Sequence, residues 1–284
     1  MNGKNPTRET LSGALAAVAL AAAIGANVYL TGDNGKGLLW TWLATMAAIL
    51  ILTGCIGKAI SGNVTGVIES ARNRVSLSRL QMLLWTVLIL SAFVTAAAGN
   101  LHLEDNVAAL DIAIPPELIT AMGIAAISLA AAPAVLSLKA APVGTNPALA
   151  AAPGISAGIH TRADRARSSW LDIFRGDEQG NCDTPDLSKI QQFLITVALV
   201  GTYGCMVGAM FIAGGKIEAL PPLDQNFVWL LGVSHAGYLA YKAVPHPSAN
   251  AGTPNPAAPA PAPARAVAPV PSPAPAVPPP PRAA

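Results

Sequence analysis

Residues 11–30, 38–57, 80–98, 118–138, 190–213 and 227–244 each pass through their central part without an Asp, Glu, Lys or Arg. A helix that crosses a bilayer needs roughly 20 mainly apolar residues, because the hydrocarbon core is about 30 Å thick and each residue rises about 1.5 Å. Lipid offers no partner to backbone N–H and C=O groups, so such runs are helical or they do not span. The chain is therefore expected to be an all-α integral membrane helical bundle with six transmembrane helices. Composition agrees, since 11% of the 284 residues are charged and the mean hydropathy is +0.48. A soluble domain carries about 25% charged residues. Three Cys and no G-X-Y period exclude a disulfide scaffold and a collagen-like fibre.

Orientation follows from the Lys/Arg bias of the loops. With the N-terminus in the cytoplasm, 15 of the 17 Lys and Arg fall on the inner side, and only Lys36 and Lys216 fall outside. Both termini are then cytoplasmic. Tyr29, Trp40, Trp42 and Trp229 sit at outer span ends and Tyr241 at an inner one, as interfacial rings prefer. A cleaved signal peptide competes for 11–30. That stretch exceeds the usual 7–15 apolar residues, and Asn27 and Tyr29 make a poor cleavage site.

An internal repeat subdivides the bundle. Leu77-Ser78-Arg79-Leu80-Gln81-Met82-Leu83-Leu84-Trp85-Thr86 aligns without gaps on Leu187-Ser188-Lys189-Ile190-Gln191-Gln192-Phe193-Leu194-Ile195-Thr196, with five of ten positions identical. Ser76 and Asp186 precede the two segments as N-cap candidates. After each outer loop, Ile114-Pro115-Pro116 matches Leu220-Pro221-Pro222. A tandem two-helix repeat of the parallel type is expected. The organisation read from these features is an N-terminal two-span hairpin with a basic loop (1–75) and repeat unit 1 (76–138). A cytoplasmic linker (139–185), repeat unit 2 (186–244) and a disordered Pro/Ala-rich tail (245–284) follow.

The run Leu77-Ser78-x-x-Gln81-x-x-Leu84-Trp85-Thr86, with Gly232-Val233-Ser234-His235-Ala236-Gly237-Tyr238-Leu239-Ala240-Tyr241-Lys242 closing the second unit, resembles a widespread group of bacterial polytopic membrane proteins of uncharacterised activity. Their paired-span unit opens with LSxxQxxLWT and closes with G[IV]SxxxYLxxK. The first unit departs at Ile124 to Leu129, which lacks the Ser and Tyr, and the second at Ile195, where Trp would stand. The resemblance implies a bacterial cytoplasmic membrane and no particular reaction.

Few side chains invite chemistry. The chain has no CxxC, GxSxG, HExxH or Gly-rich phosphate loop and no paired intramembrane carboxylate, so neither an enzyme nor a cofactor is expected. His235 is the one ionisable group placed deep in a span, which makes it a functional candidate, but a structural role is favoured, because a neutral His bonded to a neighbouring helix meets the same burial cost without any function. Gln81, Gln191, Thr86 and Thr196 stand in register and would line a polar path between the units. Asp177, Gln179, Asn181 and Asp183 imitate a calcium loop, but Cys182 occupies the Gly position and Ser188 the Glu position, so no metal is expected. Arg162, Arg165, Arg167, Trp170 and Phe174 suit a short interfacial helix on anionic headgroups, or one packed under the bundle. The tail has 15 Pro among its 40 residues, too many for a packed core, and is either a docking strand or passive. Expected partners are membrane lipids, a cytoplasmic protein reached through the tail or linker, and a second copy of the chain, with no nucleic acid. The expected function is a non-enzymatic membrane anchor or scaffold, and a small channel, transporter or membrane-perturbing effector is the alternative.

Overall fold

The computed structural model describes Gly25 and residues 35–103, 108–140, 158–164, 167–178, 180–244 and 246. The expected span 11–30 apart from Gly25, residues 141–157 of the linker and nearly all of the tail lie outside these residues. The described chain holds five α-helices: α1 (Gly35–Ser61), α2 (Leu77–Leu101), α3 (Pro116–Ala140), α4 (Leu187–Ala213) and α5 (Gln225–Ala243). No strand occurs among the described residues, only isolated bridges. Four helices, α1 to α4, are long and apolar enough to cross a membrane. This is a membrane protein by the measure of its helices. The 19-residue α5 carries Asn226, His235 and Lys242 and is not among the four.

Local chemistry sets the helix ends. Asp186 caps α4 by accepting from the backbone N–H of Ser188 (3.0 Å) and Lys189 (3.3 Å), and Asp224 caps α5 through Asn226 (2.8 Å). Ser76 holds the N-cap position of α2 in extended geometry without a side-chain cap bond. Pro116 opens α3, where its missing N–H costs nothing. Gly214, with φ of 69°, ends α4 in a conformation that side chains resist.

The helix α2 is central. It packs on α1, α3 and α4, and 56% of its apolar window is buried, against 17% for α1. Ala92 and Ala96 let its neighbours approach closely, and Trp85, Tyr203, Phe211 and Leu231 fill the space between. Trp42 meets Phe211 at 5.7 Å and Trp85 meets Tyr203 at 6.3 Å between ring centroids. A Cβ on Gly208 would stand 3.5 Å from Leu39, so this glycine lies directly under α1.

The buried face of α4 carries an unexpected phase. Lys189, Gln192, Thr196, Leu199, Tyr203, Val207, Gly208 and Phe211 are buried. They correspond one for one to buried Ser78, Gln81, Trp85, Leu88, Ala92, Ala96, Ala97 and Asn100 of α2, at the 111-residue separation that joins Gln81 to Gln192. The sequence motifs align one residue differently, pairing Gln81 with Gln191. So α4 is turned by one residue, about 100° for a helix of 3.6 residues per turn.

Both ends of the bundle are laced. At one end Ala113 and Ala219 form a parallel bridge, with Ala113 N–H donating to the Glu218 carbonyl (2.8 Å) and Leu220 N–H to the Ala113 carbonyl (3.0 Å). Asn100 joins there by exchanging two bonds with the backbone of Ile217 (2.8 and 2.9 Å). At the other end residues 62–76 and the described parts of 158–186 form a polar layer, containing the 3₁₀ turns Val64–Val67 and Trp170–Phe174. A small second core of Ile68, Val75, Leu77 and Ile173 sits beneath it.

Gly176 is fixed in the layer by sterics. A Cβ there would come within 2.5 Å of the Asn181 carbonyl oxygen, whereas one at Gly237 would meet nothing within 4 Å. Gly176→Ala should lower unfolding stability in detergent by roughly 1–3 kcal/mol, the cost of forced overpacking. Gly237→Ala should leave the melting curve in place or raise it slightly, and equal curves for the two variants would contradict this packing.

Candidate functional site

The polar layer buries more charge than any other part of the described chain. Asp177 lies at its centre. Its Oδ1 is 3.1 Å from Arg72 Nη2 and 3.7 Å from Arg74 Nη1, and its Oδ2 is 2.7 Å from Lys242 Nζ and 3.0 Å from Lys189 Nζ. Four cations from three chain segments thus meet one carboxylate. Three of these cations also bond neutral oxygens: Lys189 Nζ donates to the Arg175 carbonyl (2.6 Å), Lys242 Nζ to Tyr238 Oη (2.8 Å) and Arg74 Nη1 to the Gly176 carbonyl (2.7 Å).

A second carboxylate lies alongside. Asp172 is fully buried, takes Arg162 Nη2 at 2.6 Å and Arg74 Nε at 3.7 Å, and closes a capping box with Ser169. Glu178 then grips the segment after α5: its Oε2 accepts from the His246 N–H (3.0 Å) and its Oε1 lies 3.0 Å from His246 Nδ1. The Tyr241 ring stacks on His246 at 4.2 Å.

Electrostatics follow from this crowding. Burial by itself would raise the Asp177 carboxyl, but Lys189, Lys242 and Arg72 hold it well below the usual carboxylate range. Burial likewise opposes ionisation of Asp172, and hydrogen bonds from Arg162 and Ser169 with the charge of Arg74 outweigh it. Burial lowers Arg74 despite Asp177 and Asp172, and lowers His160 together with Arg74 and Arg162. Asp177 is therefore a locked anion. It is spent on cations and is unsuited to general-base work. Of the calcium-like series, Asp177 is held by cations and Asn181 Oδ1 accepts from the Glu178 N–H (3.0 Å), while Asp183 is exposed and Gln179 lies outside the described residues. Among the described residues no three His, Cys, Asp or Glu side chains are grouped to hold a metal.

The intramembrane candidates separate into two sets. Gln81 Nε2 donates to Thr196 Oγ1 (2.7 Å), and both are buried between α2 and α4. Gln191 faces outward, and Gln192 takes the expected place by donating to Gln81 Oε1 (3.1 Å). Thr86 is half-buried and returns its hydroxyl to the Met82 carbonyl (2.8 Å). His235 is buried between α3 and α5, with Nδ1 2.6 Å from Ser128 Oγ. Of the five candidates, Gln81 and Thr196 join Gln192 in a three-residue knot, His235 makes a separate clasp with Ser128, and Gln191 and Thr86 belong to neither.

The interfacial candidates separate as well. Among the described residues of 161–175 there is no α-helix, only the five-residue 3₁₀ turn Trp170–Phe174. Arg162 turns inward to Asp172, and Phe174 packs edge-on against Phe193 at 5.0 Å. Arg167 and Trp170 are exposed, and Arg165 lies outside the described residues. The residues that the sequence reading passed over are Arg72, Arg74, Asp177, Lys189 and Lys242. Their visible signal was an unusual density of Lys and Arg near span ends, which orientation alone explained.

Comparison with protein-family models, with curated proteins and with solved structures returns no match for this chain.

Two outcomes test the geometry. Asp177→Asn should cost roughly 3–5 kcal/mol at neutral pH, because it leaves buried cations without their anion. A carboxyl depressed in the folded state contributes stability in full above its unfolded value of about 3.9 and loses it as pH falls through the lower folded value. The gap between parent and variant should therefore persist to about pH 4 and close only at more acid pH, as read by thermal melts across that range. Ser128→Ala should lower stability by about 1 kcal/mol, the scale of an interhelical hydrogen bond in a membrane; an unchanged melt would remove the clasp from the account.

Proposed function

We propose that the chain is a non-enzymatic anchor of the bacterial cytoplasmic membrane that holds a cytoplasmic protein through its Pro-rich tail. One observation carries this reading. The root of the tail is pinned to the polar layer twice, by Lys242 on Asp177 (2.7 Å) just before it and by His246 on Glu178 (3.0 Å) within its first residues. A passive extension has no need of a fixed root. In this reading the polar layer is cytoplasmic, as the concentration of Lys and Arg on one side favours, and both termini lie on that side.

The reading has six spans, with 11–30 as the first and α5 as the last. In favour of α5, its outward face is apolar, with Trp229 67% and Val233 69% exposed, while Ser234, His235, Tyr238 and Lys242 point inward. Its 19 residues reach about 28 Å at a rise of about 1.5 Å. The two-helix repeat draws support from the pairing of Ala113 with Ala219 and from α2, in which every buried position of α4 has a buried counterpart, one residue out of register with the motif alignment. The closing motif that invites the family resemblance gains a physical reading too. Ser234, Tyr238 and Lys242 recur every four residues, share one buried face, and end on the Asp177 anion. Such a motif serves architecture.

Affinity purification of the full chain and of a chain lacking 245–284 tests the proposal. The partner set should shrink on deletion, and identical sets, or none, would sink the tail's role. The channel or transporter reading is favoured by one observation: Trp85 Nε1, Tyr203 Oη and Gln192 Oε1 are buried along the α2–α4 seam without hydrogen-bond partners. Flux into proteoliposomes separates the two readings. The anchor predicts none, and a flux abolished by Gln192→Ala or His235→Ala would favour the rival.

A further inference from the structure

An apolar ridge leaves the membrane-facing side of α1 and continues onto the polar layer. Ile60, in the last turn of α1, is 70% exposed, and Val64, in the 3₁₀ turn just beyond, is 63% exposed. Across a shallow cavity of about 280 Å³ lies Trp170, 54% exposed, beside Leu171 at 53%. Four large apolar side chains on a layer otherwise rich in charge need a cover. Their position says what it is. Ile60 lies in the last turn of α1, Val64 in the 3₁₀ turn that follows and Trp170 across the cavity from Asn63 and Val64, and the ridge continues up α1 through exposed Ile56, four residues before Ile60 on the same face.

Cations flank the ridge. Arg79 is exposed and leans over the same turn, donating from Nη1 to the Val67 carbonyl (3.3 Å), and Arg167 is exposed three residues before Trp170. Indole at the water–hydrocarbon boundary, aliphatic side chains pointing down and guanidinium groups beside them are the chemistry of an anionic lipid surface. A soluble partner would not require continuity with the lipid-facing side of a membrane helix.

We propose that this rim, formed by Ile60, Val64, Trp170 and Leu171 and flanked by Arg79 and Arg167, beds into the headgroup region of a membrane containing anionic phospholipid. The contact is made by a 3₁₀ turn and a helix end, in place of an interfacial helix. It holds the layer against the bilayer and fixes the height of Asp177 relative to the phosphates. The inference rests on the membrane reading of α1 to α4, and its test keeps the two apart.

The full chain is labelled with 5-fluorotryptophan and placed in nanodiscs of phosphatidylcholine, alone or with one quarter phosphatidylglycerol, and Trp170→Phe assigns the fluorine signal of residue 170. A water-soluble gadolinium chelate and a lipid-borne nitroxide then report on its surroundings. Trp170 should be relaxed several-fold less by the chelate than Trp in the unfolded chain, and should be broadened by the nitroxide. Shielding should increase with phosphatidylglycerol, and the double variant Arg79→Gln/Arg167→Gln should erase that increase. Full relaxation by the chelate in both nanodiscs overturns the proposal. Shielding from both agents overturns it as well, because protein, a second copy or a partner, then covers the rim. Trp40 and Trp229, 69% and 67% exposed on α1 and α5, serve as controls. If neither is broadened by the nitroxide, the membrane reading fails instead.

Discussion

Asp177 is the point on which the described chain converges. One carboxylate draws Arg72 and Arg74 from the segment before α2, Lys189 from the foot of α4 and Lys242 from the end of α5. Like charges gathered this closely would repel, and each is costly to remove from water. The anion makes the gathering tolerable, and the gathering in turn keeps the anion ionised. Everything beneath is registered by it: α4 begins where Asp186 can cap it and Lys189 can reach inward, and α5 ends where Lys242 meets both Tyr238 and Asp177.

The bundle below reverses the usual order of a soluble protein. Its outside carries large aliphatic side chains, among them Ile51, Ile119, Ile127, Leu194 and Val233, and its inside adds hydroxyls and amides to an apolar core. In lipid there is no hydrophobic gain from joining two apolar helix faces, so close contact and interhelical hydrogen bonds must supply the adhesion. Trp42 Nε1 donating to Ser91 Oγ (2.9 Å), the Gln81–Gln192–Thr196 knot and the His235–Ser128 clasp are placed at different helix pairs. Alanine and glycine between them allow the approach.

Much of the bundle was legible in the sequence, because its cause is local. Apolar runs placed at 80–98, 118–138 and 190–213 became helices Leu77–Leu101, Pro116–Ala140 and Leu187–Ala213. The polar layer was not legible. Its decisive pairs join residues 105 positions apart, as Arg72 and Asp177 are, or 65 apart, as Lys242 and Asp177 are. Nothing near Asp177 in the chain distinguishes it from Asp183, which is exposed. Gln191 and Gln192 show the same limit on a smaller scale: two adjacent glutamines offer equal chemistry, and the rotation of α4 in its packing decides which is inside.

The twin attachment at the end of α5 also determines how the molecule would carry tension. A pull on the chain beyond His246 is a shear on two carboxylate contacts loaded in parallel, through neighbouring residues Asp177 and Glu178. Asp177 passes the load to Lys189 at the foot of α4 and to Arg72 and Arg74 ahead of α2. While these contacts hold, the force reaches α4 and the segment ahead of α2 as well as α5. A tether rooted in this way loads α5 alone only once its contacts to Asp177 and Glu178 have broken.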